Sequence, residues 1–198
     1  MAYRRGQAIR RAALLFMLTF VLTPMLGLAA EDTEGAWQAL RAGGHIVLLR
    51  HAAAPGVGDP PEFRLNDCAT QRNLSAEGRA QARRIGQALR RRGVEVDAVY
   101  SSEWCRCLQT AELIGGVPVT PLPTLNSFFG QGSAREERQT AELRAWLADQ
   151  RPRGSLILVT HQVNITALTG IFPAPGEAVV AKSLPSGFVE VVGSLPPP

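Results

Sequence analysis

The sequence has no excess of either charge once its first thirty residues are set aside. The 198 residues include 21 basic and 17 acidic side chains. The charged residues among positions 1–30 are all arginines (Arg4, Arg5, Arg10 and Arg11), which leaves 17 basic against 17 acidic residues in the rest of the chain. This balance excludes the broad basic surface through which proteins bind nucleic acid, so we expect no nucleic-acid partner.

Cysteine is also scarce, with only three residues, Cys68, Cys105 and Cys107. The Cys-x-Cys spacing of the last two differs from zinc-finger spacings, and no histidine lies nearby in the sequence. We therefore expect no metal and no cofactor. In an oxidising compartment, three cysteines allow one disulfide and leave one free thiol.

The first thirty residues have the order of a secretory signal. Arginines precede the apolar stretch AALLFMLTFVLTPMLGLAA, which ends in small residues. We predict a signal peptide over residues 1–30, with cleavage after Ala29 or Ala30, and a single domain over residues 31–198. The protein is then periplasmic or secreted and has no membrane contact after cleavage. An uncleaved membrane anchor is the alternative.

Apolar runs and helical patterns alternate along the rest of the chain. Strands are predicted over residues 45–50, 96–102, 117–123, 155–161, 177–181 and 186–193. Helices are predicted over residues 34–42, where Gly43-Gly44 closes the helix, and over 76–92, 103–114, 133–150 and 164–170. Ser75 is expected to cap the second helix, and Ser101 or Ser102 the third. This alternation indicates an α/β architecture with a mainly parallel sheet covered on both faces.

Reactive side chains follow three of these strands. Arg50 and His51 end the first strand, Arg106 lies in the helix after the second, and His161 ends the strand over 155–161. Since ligands of such sheets bind beyond the carboxyl ends of the strands, we expect these residues at one rim, with the long loop over 52–73 beside them. Arginines and a helix N-terminus suit phosphate, and a neutral histidine can attack phosphorus.

Four stretches resemble the signature motifs of one known family, the histidine phosphatase (phosphoglycerate-mutase-like) superfamily. They are LLRHA, LSAEGRAQA, VYSSEWCRCLQTAELI and LILVTHQVNITALTG, and the resemblance extends over about residues 45–171. It implies a three-layer α/β/α sandwich and a metal-independent phosphatase. His51 would be the phosphorylated nucleophile, with the phosphate held by Arg50, Arg106 and His161.

The general acid of this family is not recognisable in the sequence. Ser127 stands where one branch has a glutamate, and Gln162 follows His161 where another branch has an aspartate. Three interpretations of the missing general acid are open. A loop carboxylate could replace the acid, the candidates being Glu62, Asp67, Glu103, Glu136 and Glu137. The substrate could instead have a good leaving group, as in a phosphoprotein, phosphoramidate or anhydride. Finally, the protein could be a phosphate-binding pseudoenzyme.

The resemblance also separates the cysteines. Cys107 stands where the family has a small buried alanine, so we expect a buried free thiol there. Cys105 precedes Arg106 at a more exposed position, and Cys68 lies in the loop over 52–73, so we predict a Cys68–Cys105 disulfide.

Further contacts with the substrate are expected from side chains near the predicted rim, namely Arg64, Arg72, Gln162 and Asn164. The expected substrate is a phosphorylated small molecule or an envelope glycan.

Overall fold

The computed structural model describes residues 26–198. The signal peptide predicted over residues 1–30 therefore lies outside the described residues except for its last five. The first helix, α1 (Leu26–Ala42), begins earlier than the predicted start at residue 34 and ends, as predicted, before Gly43-Gly44. No helix in the described part of the chain combines the length and apolarity needed to cross a membrane.

One six-stranded sheet organises the described chain. Its strands are β1 (His45–Arg50), β2 (Val96–Ser101), β3 (Val119–Pro121), β4 (Ser155–Thr160), β5 (Ala178–Ser183) and β6 (Val189–Leu195), in the order β3-β2-β4-β1-β5-β6. The pairs β3–β2, β2–β4 and β4–β1 are parallel, whereas β5 pairs antiparallel with both β1 and β6. The predicted mainly parallel sheet is confirmed, and the final strand pair forms its antiparallel edge.

Helices cover both faces of this sheet. They are α1, α2 (Ala76–Arg91), α3 (Cys105–Ile114), α4 (Ser133–Ala148) and α5 (Gln162–Thr169). Successive residues of a strand point to opposite faces, so Val47 and Leu49 of β1 pack with α1, α2 and α3, while Ile46 and Leu48 pack with α4 and α5. This arrangement is the predicted three-layer α/β/α sandwich.

The predicted caps had different outcomes. Ser75 caps α2 as expected, because its Oγ accepts a hydrogen bond from Gly78 N at 2.9 Å. The prediction for α3 was wrong: Trp104 stands at its N-cap, and no side chain caps the helix. Ser101 and Ser102 are fully buried at the end of β2, and their hydroxyls bond to other groups. Short 3-10 turns at Cys68–Thr70 and Pro123–Leu125 were not predicted.

Candidate active site

The main chain that follows β1 is held firmly between two helices. Ala52 N donates to Thr110 Oγ1 of α3 at 3.1 Å. On the other side, Gly78 of α2 lies directly against the Ala53 carbonyl, where a Cβ atom would overlap it. His51 thus projects from a fixed backbone at the carboxyl edge of the sheet, and its side chain is buried.

The hydrogen bonds of His51 assign its tautomer. Nδ1 lies 2.8 Å from the carbonyl oxygen of Ala52, so Nδ1 carries the proton and donates it. Nε2 accepts a hydrogen bond from Arg106 Nε at 3.3 Å. The lone pair of Nε2 is therefore the free basic site of the ring, and it lies beside a guanidinium group.

His161 has the opposite tautomer. Its Nδ1 accepts from Arg106 Nη2 at 3.4 Å, and its Nε2 lies 2.9 Å from Ser102 Oγ. Ser102 in turn donates to Asn126 Oδ1 at 3.2 Å, so its oxygen accepts from the histidine. The rings of His51 and His161 are 5.5 Å apart between centroids. Both histidines thus present a lone pair to the same arginine.

Both histidines are neutral at physiological pH in this arrangement. Burial, with the nearby charge of Arg106 as the next cause, lowers the pKa of His51 to about 3. Burial likewise holds the pKa of His161 well below its usual value, with His51 and Arg106 adding to the effect. A neutral imidazole is the form that can act as a nucleophile.

These shifts predict that the protein loses stability as the pH falls below about 6.5. An unfolded histidine takes up a proton there, whereas His51 stays neutral in the folded state down to a pKa of about 3. Each such histidine lowers the free energy of unfolding by up to about 1.4 kcal/mol per pH unit. Urea unfolding at pH 7, 6 and 5 measures this slope, and His51→Asn should make it shallower. Equal slopes for the two proteins would contradict the expectation.

A cavity of about 520 Å³ opens above these residues. Arg50, Arg72 and Arg106 all line it, as do His51 and His161. Burial, followed by repulsion from Arg106, lowers the pKa of both Arg50 and Arg72, yet arginine remains charged in proteins. The cavity therefore concentrates positive charge, which favours a doubly charged anion such as a phosphate group.

The guanidinium groups of Arg50 and Arg72 are positioned by main-chain carbonyls. Arg50 Nη1 donates to Pro173 O at 2.8 Å, while its buried Nε has no partner. Arg72 donates through Nε to Gly58 O at 2.7 Å and through Nη1 to Ala54 O. Because neutral carbonyls do not cancel their charge, both groups remain available to an anion.

Asp59 is the one carboxylate among the described residues that line the cavity. Its Oδ1 accepts from Arg106 Nη1 at 2.7 Å, and its Oδ2 accepts from Trp104 Nε1 at 3.0 Å. Partial burial opposes ionisation, but the hydrogen bond and charge of Arg106 lower the pKa of Asp59 overall. The carboxylate is therefore ionised. Sequence reasoning missed Asp59, and its position in the loop expected to border the site was the only signal for it.

The predicted substitute acids do not line the cavity. Glu62, Glu136 and Glu137 are exposed at the surface. Asp67 forms an exposed ion pair of 2.7 Å with Arg64, and Glu103 accepts from Asn126 Nδ2 at 2.7 Å. None of these five carboxylates therefore lies where it could act as the general acid in the cavity.

The predicted substrate-contacting residues divide into two groups. Arg72 and Gln162 line the cavity, and so does Ser127. Arg64 lies outside it in the exposed pair with Asp67. Asn164 is buried beside the site, where its Nδ2 donates to Asn126 O at 3.0 Å. Asn126 thus contacts both Asn164 and Ser102, which fixes the surroundings of His161.

The disulfide is the predicted one. Cys68 and Cys105 are bonded, with their Cα atoms 5.7 Å apart. Cys105 N also donates to Gln71 Oε1 at 3.0 Å, so the loop after β1 is attached at two points to the residue that precedes Arg106. A bond that joins positions 37 residues apart restricts this loop strongly in the unfolded chain as well.

Cys107 is buried and free, as expected. Burial raises the pKa of its thiol to about 12, so the group stays protonated. With Cys105 in the disulfide, the Cys-x-Cys pair cannot bind a metal. Within residues 26–198, no group of three or more histidine, cysteine or acidic side chains is arranged to hold a metal ion.

Comparison with known proteins identifies the family. The sequence model of the histidine phosphatase superfamily (branch 1) matches residues 46–152, more than half of the chain. The matched segment contains the loop after β1, all of α2 and all of α3. The chain therefore belongs to the histidine phosphatase superfamily, which confirms the resemblance of its motifs.

Individual relatives support the same class. The mitochondrial serine/threonine-protein phosphatase Pgam5 of Drosophila virilis is 26% identical over 142 residues, which is 59% of this chain but only 46% of that protein. The chain thus spans about half the length of this curated relative.

Solved structures of phosphatases share the fold. The protein histidine phosphatase SixA has a TM-score of 0.55 at 19% identity, covering 77% of this chain and 97% of that one. A mycobacterial glucosyl-3-phosphoglycerate phosphatase has a TM-score of 0.56 at 16% identity, covering 75% and 97%. At these identities the likeness establishes the fold. The phosphoglycerate-mutase-like architecture is confirmed.

Proposed function

We propose that this protein is a metal-independent phosphatase that forms a phosphohistidine on His51. The observation that carries the proposal is the neutral Nε2 of His51 beside Arg106, at the base of a cavity lined by three arginines. Arginine N–H groups match phosphate oxygens in pairs, and a buried imidazole with a free lone pair is a nucleophile. Phosphoryl transfer needs mainly positioning and charge stabilisation, which these groups supply without a metal ion.

In the first step, the lone pair of His51 Nε2 forms a bond to phosphorus while the bond from phosphorus to the leaving oxygen breaks. The leaving group takes that electron pair and then a proton from water. As the phosphate enters, the long hydrogen bond of Arg106 to Nε2 is exchanged for one to a phosphate oxygen. The Nδ1–H of His51 keeps its bond to Ala52 O, which stabilises the positive charge that the ring acquires.

In the second step, water attacks phosphorus and the P–N bond breaks. The electron pair returns to Nε2, and the proton of the water leaves with inorganic phosphate or passes to a nearby base. His51 is then neutral again, as in the empty site. His161 can take up a proton while the phosphate dianion is bound, because the anion offsets the repulsion from Arg106.

A phosphatase for labile phosphates is the second candidate, and Asp59 favours it. The only carboxylate of the described cavity lining is held ionised by Arg106, so it has no proton to give to a leaving alkoxide. A positioned general acid contributes typically about 10²- to 10⁴-fold. Phosphoramidates, anhydrides and phosphoproteins that carry such labile phosphates release better leaving groups and depend less on such an acid, whereas phosphoserine and phosphothreonine release alkoxides.

The compartment and the substrate belong to the same proposal. We propose that the chain is exported, so that its substrate is a phosphorylated small molecule or envelope glycan outside the cytoplasm. The N-terminal pattern supports export, and the disulfide is compatible with an oxidising compartment. The relatives act on substrates as different as proteins and glucosyl-3-phosphoglycerate, so the family alone does not choose among them.

The test is hydrolysis of p-nitrophenyl phosphate by the purified protein with a chelator present throughout, followed by rapid quenching in base. We expect turnover that the chelator leaves unchanged, and a base-stable, acid-labile phosphoryl group on the peptide that contains His51. Turnover that disappears with the chelator would contradict the metal-free mechanism. Saturable binding of vanadate with neither turnover nor a phosphoenzyme would indicate the pseudoenzyme instead.

A further inference from the structure

The mouth of the cavity is unusually apolar. Among the described residues, five large hydrophobic side chains are exposed, and three of these line the cavity: Val57, Phe129 and Phe172, exposed by 87%, 58% and 72%. They come from separate loops, after β1, after the 3-10 turn that follows β3, and after α5. Exposed apolar groups gathered at one place mark a binding surface rather than a random surface. We call these three residues the apolar rim.

The rim differs chemically from the base of the cavity. The base is cationic because three arginines line it. Among the described lining residues, Asp59 carries the one other charge, and the rim residues carry none. The amides beside the rim each have one N–H in use: Gln131 Nε2 donates to Ser127 O at 3.2 Å, and Gln162 Nε2 donates to Thr166 Oγ1 at 2.8 Å. The three rim side chains themselves offer a polyhydroxylated leaving group no hydrogen bond, while an apolar ring would gain contact area against them.

Two observations thus point to the same kind of leaving group. The rim favours a flat apolar group, and Asp59, paired with Arg106, supplies no proton for an alkoxide. A phenol has a pKa of about 10, like the tyrosine side chain, so its oxygen departs as an anion far more easily than an alcohol oxygen does. Phe side chains also stack with aromatic rings at their edges and faces.

We propose that this site takes aryl phosphomonoesters, with the phosphate on the arginines and the aromatic leaving group against Phe129 and Phe172. This inference rests on the proposed function and narrows its substrate class. His51 Nε2 forms the bond to phosphorus, the P–O bond to the aryl group breaks, and the aryl oxide leaves with the electron pair. Water then protonates the aryl oxide outside the cavity.

The test compares 2-naphthyl phosphate with phenyl phosphate. Their leaving groups have nearly equal pKa values, so a difference in kcat/KM reports the additional ring and not the ease of departure. We expect 2-naphthyl phosphate to be favoured roughly 3- to 10-fold, the effect of one aromatic contact, and mainly through KM. Phe129→Ala and Phe172→Ala should each move this ratio toward one. Phe188→Ala is the matched control, because Phe188 is 54% exposed but does not line the cavity, and it should leave the ratio unchanged.

The outcomes separate this inference from the proposed function. If hydrolysis requires His51 but the two aryl esters react equally, or a hexose phosphate reacts as fast as phenyl phosphate, the aryl assignment is wrong and the phosphatase stands. A ratio that falls equally in the Phe188 variant would also overturn the role of the rim. If no ester is hydrolysed by a His51-dependent route, the proposed function itself fails.

Discussion

Replacing His51 with asparagine is expected to reduce kcat/KM for p-nitrophenyl phosphate by roughly 10⁴- to 10⁶-fold, the usual effect of removing a catalytic nucleophile. Asparagine places its amide where Nδ1 and Cδ2 of the imidazole lie, so its Nδ2 can keep the hydrogen bond to Ala52 O at 2.8 Å, while no atom takes the place of Nε2. It cannot form a stable bond to phosphorus. The arginines of the cavity are unchanged in this variant, so vanadate should still bind. Steady-state kinetics and vanadate titration measure the two effects separately.

His45→Asn is the matched control for this experiment. His45 begins β1, at the opposite end of the strand from His51, and its Nδ1 bonds to Gly43 O at 2.6 Å. The same substitution there should change kcat/KM by less than about twofold, as is usual for a position away from the site. If His51→Asn retained a tenth of the activity or more, phosphoryl transfer through His51 would be ruled out.

The strands, and with them the main site residues, could be predicted because local pattern and global topology agree. Apolar runs such as the one over β1 are recognisable as buried strands, and parallel strands bring their carboxyl ends to one edge. Since β4 lies between β1 and β2, the residues that follow these three strands must be neighbours. His51, Arg106 and His161 could thus be placed together although they are far apart in the sequence.

Asp59 could not be predicted, because its position depends on contacts that no local pattern encodes. The loop over 52–73 contains several carboxylates, and each is flanked by turn-forming residues. The sequence around them does not indicate which carboxylate lies inside the folded site. Trp104 Nε1 and Arg106 Nη1 select Asp59 once the loop is folded and attached by the disulfide. Even the correctly predicted disulfide did not indicate which carboxylate would lie inside.

The failed cap of α3 has a similar physical origin. A serine that precedes a helix usually accepts hydrogen bonds from the first helical N–H groups. Ser101 and Ser102 both precede the predicted third helix, so either could have been its cap. In the folded protein, Ser102 Oγ bonds to His161 Nε2 and Asn126 Oδ1 and accepts from the N-cap residue Trp104 N at 3.3 Å, but it caps no N–H group of α3 itself. The hydroxyl therefore orients the second histidine of the site. The local preference of serine for capping a helix is thus overridden by a hydrogen bond to a residue 59 positions away in the sequence.

Arg106→Lys is expected to reduce kcat/KM by roughly 10²- to 10³-fold, as for the loss of a charge-stabilising donor group. The three guanidinium nitrogens of Arg106 have three different partners: Nε bonds to His51, Nη1 to Asp59 and Nη2 to His161. A lysine ammonium keeps the charge but is a single point, so it cannot reach the three groups in the planar arrangement that a phosphate requires.

Stability should fall in a second variant, Arg106→Met, which removes the positive charge that Arg106→Lys keeps, and this effect can be separated from the loss of activity. Arg106 is 3% exposed and Asp59 is 15% exposed at the side chain, so breaking the pair leaves a largely buried carboxylate and costs about 3 kcal/mol. The additional change Asp59→Asn removes that stranded charge, so the double variant should recover stability but not kcat/KM. Arg90→Lys is the control for the lysine substitution, since Arg90 donates to Ile114 O at 2.8 Å outside the cavity lining. Recovery of full activity in the double variant would mean that Arg106 serves only to neutralise Asp59, and it would remove Arg106 from the phosphate-binding group.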